Sequence, residues 1–324
     1  MTVTLLLLGL LLLLGGGAAL VNGASGLARH LGVPPLVIGL TIVAFGTSAP
    51  ELVINLLAAV RGTTELAFGN VVGSNLANIG LVLGLAALIH PMTIKGELVR
   101  RELPLLLLAT AVLLVMVLDG PLQGTAALLT RSDGMILLLL FGIFAYVNIM
   151  GLRSTPEDAL IRDVREAGEA LPAALRQTER HTLLLIGGTL ALGVGGHVTI
   201  TQGTALALQL GVSPALIGLG MVAVGTSLPE LVTSVTAALK NESDLCLGNV
   251  IGSNLFNSLF VLPLSAVVRP IEIPAMGEID IVVSFLLVVA ILPVFFFGDS
   301  RMNRLTGLGF LAIYGIYMGF RLLS

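Results

Sequence analysis

One cysteine, no tryptophan, four histidines and 11% charged residues are all that 324 positions hold of these groups. Each scarcity excludes something. A lone Cys246 forms no internal disulfide and supplies no thiolate cluster for zinc. His30, His90, His181 and His197 show none of the close pairing that a histidine metal motif requires. The net charge of −3, with no long basic stripe, argues against nucleic acid as a partner. Soluble domains carry roughly 25% charged residues, more than twice the share found here. What fills the gap is apolar: 56% of the chain is hydrophobic and its mean hydropathy is +1.04. Runs such as Thr4–Leu14 and Ile281–Phe297 lack any charge. No aqueous fold covers that much apolar surface. The expectation is an all-α integral membrane protein with short loops, whose principal partner is the lipid bilayer.

A span takes about 20 residues. Apolar runs bounded by charged or turn residues give ten candidates, near 3–23, 34–60, 66–90, 103–118, 134–151, 182–209, 213–239, 245–268, 279–297 and 305–322. The first resembles a signal-peptide core, but no basic stretch precedes it, so it reads as a retained first helix. The one sizeable connection, Arg153–Arg180, mixes charges of both signs and reads as a solvated linker with room for a short amphipathic helix. Basic residues concentrate on the cytoplasmic side of short loops. With the N-terminus outside, twelve of the sixteen Lys and Arg fall inside and four (Arg61, Arg131, Arg269, Arg321) outside. Both termini are therefore expected to face outward. That orientation puts the Asn241 sequon in the cytoplasm, where it has no use.

Leu31–Ile94 aligns with Leu210–Ile273 at a constant offset of 179, with 33 of 64 positions identical and no gap. The densest blocks are GTSAPELV (46–53) against GTSLPELV (225–232) and GNVVGSNLAN (69–78) against GNVIGSNLFN (248–257). Matches to Pro, Glu, Asn, Thr and Ser cannot come from low complexity, so the chain is internally duplicated. The copies lie five spans apart, an odd number, and equivalent helices then cross in opposite directions. The expected organisation is a five-helix repeat over 1–151, a cytoplasmic linker over 152–180 and an inverted five-helix repeat over 181–324. Inverted repeats with helices broken at the midplane mark secondary transporters.

Glu51 and Glu230 are the carboxylates well inside expected spans. Burying an ionised carboxylate in a bilayer costs several kcal/mol or more unless a cation, a partner or water meets it. A protonated Glu bonded to a neighbouring helix is the plain alternative. Two such residues in matching GTSxPE contexts favour cation coordination. Pro50 and Pro229 disturb the helix, and the break is expected to free carbonyls such as those of Ala44 and Ala223. Thr47, Ser48, Thr226 and Ser227 add hydroxyls. Ser74 with Asn78, and Ser253 with Asn257, are four apart and share a helix face. An all-oxygen set suits Na⁺ or Ca²⁺ and not zinc or copper. Gly69 and Gly73, like Gly248 and Gly252, form GxxxG steps that let helices approach closely. His197 reads as a packed helix histidine, Tyr146 and Asn148 as interfacial, and Cys246 as a small apolar residue.

These paired GTSxPE and GNxxGSN blocks resemble the cation/Ca²⁺ exchanger superfamily, and in particular prokaryotic sodium/calcium exchangers, over essentially the whole chain. The resemblance implies four cation positions at the membrane centre. Glu51, Glu230, Thr47 and Thr226 would hold Ca²⁺, with Asn78 and Asn257 flanking. Ser48, Ser74 and the Ala44 carbonyl would form one Na⁺ site, and Ser227, Ser253 and the Ala223 carbonyl the other. It also implies that the first and sixth helices slide across this core, that the setting is a prokaryotic inner membrane, and that no cofactor, enzymatic activity or obligatory protein partner is involved. Asn257 departs from the family, where Asp often stands, and leaves two central carboxylates.

The function these readings imply is export of Ca²⁺ in exchange for Na⁺ by alternating access, with Ca²⁺/H⁺ exchange through the same glutamates as the alternative. A cation channel would use similar oxygens but would normally be built around an oligomer axis. An intramembrane hydrolase lacks a His or Lys base at any repeat-related position.

Overall fold

Apolar runs of this length have no water to bond their backbone, so they satisfy it internally as helices. The computed structural model describes residues 2–93, 98–124, 127–153, 171–210, 223–297 and 301–323. Seven of the described helices are long and apolar enough to cross a membrane: Thr2–Leu31, Thr64–Ile89, Arg100–Gly120, Arg131–Asn148, Gln177–Gln209, Ser243–Val268 and Gly277–Val294. A bent pair, Pro35–Thr47 and Ala49–Arg61, passes the same test of length and composition when taken as one. Leu228–Leu239 and Arg304–Leu323 are further helices. The first half of the span expected at 213–239 lies outside the described residues. So does most of the 152–180 connection, including the short amphipathic helix allowed there. The helix expected to start near 182 starts earlier, and runs unbroken as Leu171–Gln209.

The bend between Pro35–Thr47 and Ala49–Arg61 is 47°. It falls at Ser48, whose φ of −88° and ψ of 7° leave the helical region. Pro50 then sits in the first turn of the new helix, where a missing amide costs nothing. Ser227 repeats the geometry, with φ −84° and ψ 7° ahead of Leu228–Leu239 and Pro229. Gly62 ends Ala49–Arg61 at φ 83°, a left-handed cap that favours glycine. Wider π-helical turns begin at Asn78 and at Asn257, equivalent positions of the two repeats.

Glycines set the most intimate helix pair. Gly9, Gly16 and Gly23 lie two turns apart on Thr2–Leu31 and face Leu171–Gln209. A Cβ on them would come within 2.6 Å of Thr199 Oγ1, 2.9 Å of the Leu192 amide and 2.6 Å of the Leu185 amide. One series of numbers rises as the other falls, so these two helices run antiparallel.

Short antiparallel strands tie connections of the two halves together. Met92–Thr93 pairs with Arg301–Met302, and Leu128–Leu129 pairs with Ile271–Glu272. At one end of the bundle Arg29 meets Glu242 at 3.2 Å, and Lys240 donates to Asn22 Oδ1 at 2.6 Å. Arg321 and Tyr317 hold Asp280, joining Arg304–Leu323 to Gly277–Val289. Large apolar side chains such as Leu11, Leu139 and Ile316 point outward, while the interior holds Thr47, Ser48, Glu51, Ser74, Glu230, Asn249, Ser253 and Asn257. These polar residues lie within an otherwise apolar core, and the outward-facing apolar side chains fit a bilayer as solvent.

Candidate functional site: a buried cluster of oxygen donors

The two breaks place their glutamates alike. Glu51 and Glu230 each lie in the first turn of the helix that restarts after a break, and both are fully buried. Helix N-termini carry partial positive charge, which eases the burial of a carboxylate there. The halves before the breaks end at Thr47 and Thr226, and the partial negative charge of a helix C-terminus favours a cation there instead.

Oxygens then converge from both halves of the sequence. Ser48 donates to Glu230 Oε1 at 2.8 Å. Thr47 and Ser253 stand beside the same carboxylate, and their hydroxyls are 3.5 Å apart. In the mirrored arrangement Ser74 and Thr226 stand beside Glu51 and are 3.2 Å apart. The fourth equivalent contact is missing: both oxygens of Glu51 and the Ser227 hydroxyl are buried without a hydrogen-bond partner, as is Glu230 Oε2. Asn78 donates to Asn254 Oδ1 at 3.1 Å and keeps its own Oδ1 unpartnered, while neither amide atom of Asn257 has a partner. Leaving one buried polar group unbonded costs about 1–3 kcal/mol. A cluster of them at one place is what a cation repays. Among the described residues no group of three or more His, Cys, Asp or Glu comes together, and most of the oxygens around the two glutamates are neutral.

The structure buries Glu51, Glu230, Thr47, Thr226, Ser48, Ser74, Ser253, Ser227, Asn78 and Asn257, each no more than 5% exposed, and contacts across the halves join Thr47 to Ser253, Ser48 to Glu230 and Ser74 to Thr226. The backbone carbonyls fare differently. Ala44 accepts the Ser48 amide at 3.0 Å and the Thr47 hydroxyl at 3.3 Å, so the break leaves this oxygen engaged. Ala223 opens the helical turn Ala223–Thr226. The second copy's GxxxG step does bring helices together, across the halves, whereas a Cβ on Gly69 in the first copy would meet nothing within 4 Å. A Cβ on Gly248 would lie 2.6 Å from the Leu36 carbonyl, and one on Gly252 would lie 2.6 Å from that of Leu40. Ser253 thereby meets Thr47.

Several polar residues escaped sequence reasoning. Asn55 and Ser234 follow the glutamates by four residues and point the same way from the helix. Asn70 donates to Asn55 Oδ1 at 2.6 Å, and Asn249 to Ser234 Oγ at 3.0 Å. Asn75 donates to Ser258 at 2.9 Å. The i, i+4 spacing was a usable signal. His197, expected to be packed, is exposed and lines a cavity of about 70 Å³ with Pro50, Pro229 and Thr226. Asn148, expected at the interface, is buried and donates to the Phe144 carbonyl at 3.0 Å, whereas Tyr146 is exposed. Cys246 is buried.

Helices broken beside paired carboxylates, in a multi-pass membrane protein, are the architecture of a secondary ion transporter. The chain belongs to the sodium/calcium exchanger protein family, which matches it over residues 1–150 and 180–323. It is 38% identical to inner membrane protein YrbG of Escherichia coli over 288 residues, covering 86% of this chain and 82% of that protein. It is 32% identical to sodium/calcium exchanger MaX1 of Methanosarcina acetivorans, covering 97% of this chain and 96% of that protein. Its fold is similar to that of the sodium-calcium exchanger NCX_Mj soaked with 10 mM Na⁺ and zero Ca²⁺, with a TM-score of 0.84, 30% identity and 98% of each chain covered.

Proposed function

We propose that this protein exports Ca²⁺ in exchange for Na⁺ by alternating access, through two inverted five-helix repeats over 1–151 and 181–324 that make ten spans. The observation that carries the reading is the pair of fully buried glutamates with three unpartnered carboxylate oxygens between them. Two negative charges balance one Ca²⁺. Glu51, Glu230, Thr47 and Thr226 bind it, flanked by Asn78 and Asn257. Ser48, Ser74 and the Ala44 carbonyl form one Na⁺ position, with Ser227, Ser253 and the Ala223 carbonyl forming the other. The ions are cargo, and the chain's own part is to replace their hydration shells with fixed oxygens.

The antiparallel run of Thr2–Leu31 and Leu171–Gln209, equivalent helices of the two copies, supports inversion. Arg29 pairs with Glu242, and Lys240 bonds Asn22. The excess of Lys and Arg in loops on the Arg29 and Lys240 side supports a cytoplasmic 152–180 linker, both termini outside and an inner-membrane setting. The name of YrbG, an inner membrane protein, supports that setting, and the names of the two exchangers support exchange of Ca²⁺ for Na⁺.

Sealed vesicles carrying the purified protein test the reading. Imposed Na⁺ gradients are expected to drive Ca²⁺ uptake in the opposite direction. Uptake that ignores Na⁺ and follows a proton gradient would replace the sodium reading with Ca²⁺/H⁺ exchange. Ca²⁺ flux without any counter-ion would indicate a channel.

A further inference from the structure

Asn249 is fully buried, sits outside the ligand set, and spans the distance between that set and a neighbouring helix. Its Nδ2 donates to Ser234 Oγ at 3.0 Å, and its Oδ1 accepts the Thr47 hydroxyl at 3.1 Å. With its nitrogen end given to Ser234, the amide turns its oxygen end to Thr47, and that end can only accept. Thr47 belongs to the first copy of the repeat, and Asn249 with Ser234 to the second.

A threonine hydroxyl has one proton and two lone pairs. Thr47 stands beside Glu230, and a hydroxyl in that position ordinarily turns its proton onto the carboxylate. Such a bond would occupy a carboxylate oxygen and aim the proton at any cation. Asn249 Oδ1 at 3.1 Å, a nearer acceptor than the Ala44 carbonyl at 3.3 Å, draws the proton to the other side. Glu230 Oε2 then stays without a partner, and the lone pairs of Thr47 face the same space as that oxygen.

The equivalent residue in the first copy does not do this. Asn70 donates to Asn55 at 2.6 Å, as Asn249 does to Ser234, but Asn70 Oδ1 has no partner and Thr226 meets Ser74 instead. The two asparagines therefore make the same helix-to-helix bond, and one of them also reaches a ligand.

We infer that Asn249, anchored by Ser234, is a positioning residue for the cation site: it orients the Thr47 hydroxyl so that its oxygen faces the ion. This rests on Thr47 being a ligand, as proposed above. Loss of one such bond is worth about 1 kcal/mol, roughly a fivefold change in affinity.

The test is a double-mutant cycle read by Ca²⁺ titration calorimetry on the purified protein, with thermal unfolding alongside. Asn249→Ala is expected to weaken Ca²⁺ binding roughly fivefold, and Asn70→Ala less than twofold. Both should lower the melting temperature by a similar amount, since each loses a helix-to-helix hydrogen bond. In a Thr47→Ala background, Asn249→Ala should weaken binding no further. Should Asn249→Ala fail to fold, Ser234→Ala takes its place in the cycle, with a smaller effect in the same direction. Equal affinity losses for Asn249→Ala and Asn70→Ala, or additive losses with Thr47→Ala, overturn the positioning role alone. Unchanged binding in Thr47→Ala overturns both that role and the ligand assignment beneath it.

Discussion

Ser48 donates to Glu230 at 2.8 Å, reaching from the first repeat into the second. The matching pair, Ser227 and Glu51, makes no such bond, and both of its members are buried without partners. Sequence symmetry therefore does not carry through to hydrogen bonding. The alternating access proposed above requires two unequal arrangements of equivalent parts, and a difference at a single hydroxyl is a small-energy way to provide them.

Neutralising either glutamate tests the charge balance. Glu51→Gln and Glu230→Gln are each expected to abolish Ca²⁺ transport while leaving a folded, membrane-inserted protein. Removing one partner from a buried charge arrangement costs about 3–5 kcal/mol, enough to lower Ca²⁺ affinity by more than a hundredfold. Vesicle flux is the measurement, and wild-type rates in either variant would rule the assigned site out.

Neighbouring glycines separate helix packing from helix propensity. A Cβ on Gly16 would sit 2.9 Å from the Leu192 amide, whereas one on Gly15 would meet nothing within 4 Å. Gly16→Leu is expected to force Thr2–Leu31 away from Leu171–Gln209 and to lose transport and thermal stability. Gly15→Leu should leave both near the parent values. Equal behaviour of the two variants in a melting and flux comparison would contradict the glycine contact.

Topology is open to labelling, because the only native thiol, Cys246, is buried. In a Cys246→Ser background, Arg165→Cys is expected to resist an impermeant thiol reagent in intact cells and to react in inverted vesicles. Reaction from outside would reverse the proposed orientation.

His197 offers a view of the approach to the site. It is exposed and shares a cavity with Thr226 and both break prolines. In the same cysteine-free background, His197→Cys is expected to react with a small hydrophilic thiol reagent, and more slowly with Ca²⁺ present. Inertness under all conditions would show that water does not reach this cavity.

Much of this protein was legible in its sequence. The membrane setting followed from hydropathy, because apolar side chains in such numbers have no other solvent. The two breaks followed from Pro50 and Pro229, and the glutamates stood out because charge inside a span is costly wherever it occurs. Helix boundaries were mostly close, except that Leu171–Gln209 starts well before its apolar run; polar residues extend a helix freely once it leaves the bilayer, and hydropathy cannot see them.

The sequence by itself determined the duplication, the identity of the donor oxygens and the points where the helices break, since each depends on local chemistry at fixed spacing. Only the tertiary structure decided how those donors are shared. Gly248 and Gly252 lay the second repeat on the first, so Thr47 meets Ser253 and Asn249, and Ser48 meets Glu230. Packing across the halves also made one serine–glutamate pair bond and left its twin open. No repeat count can yield that, because hydrogen bonds depend on positions to within a few tenths of an ångström, and two identical motifs in one chain need not occupy identical surroundings.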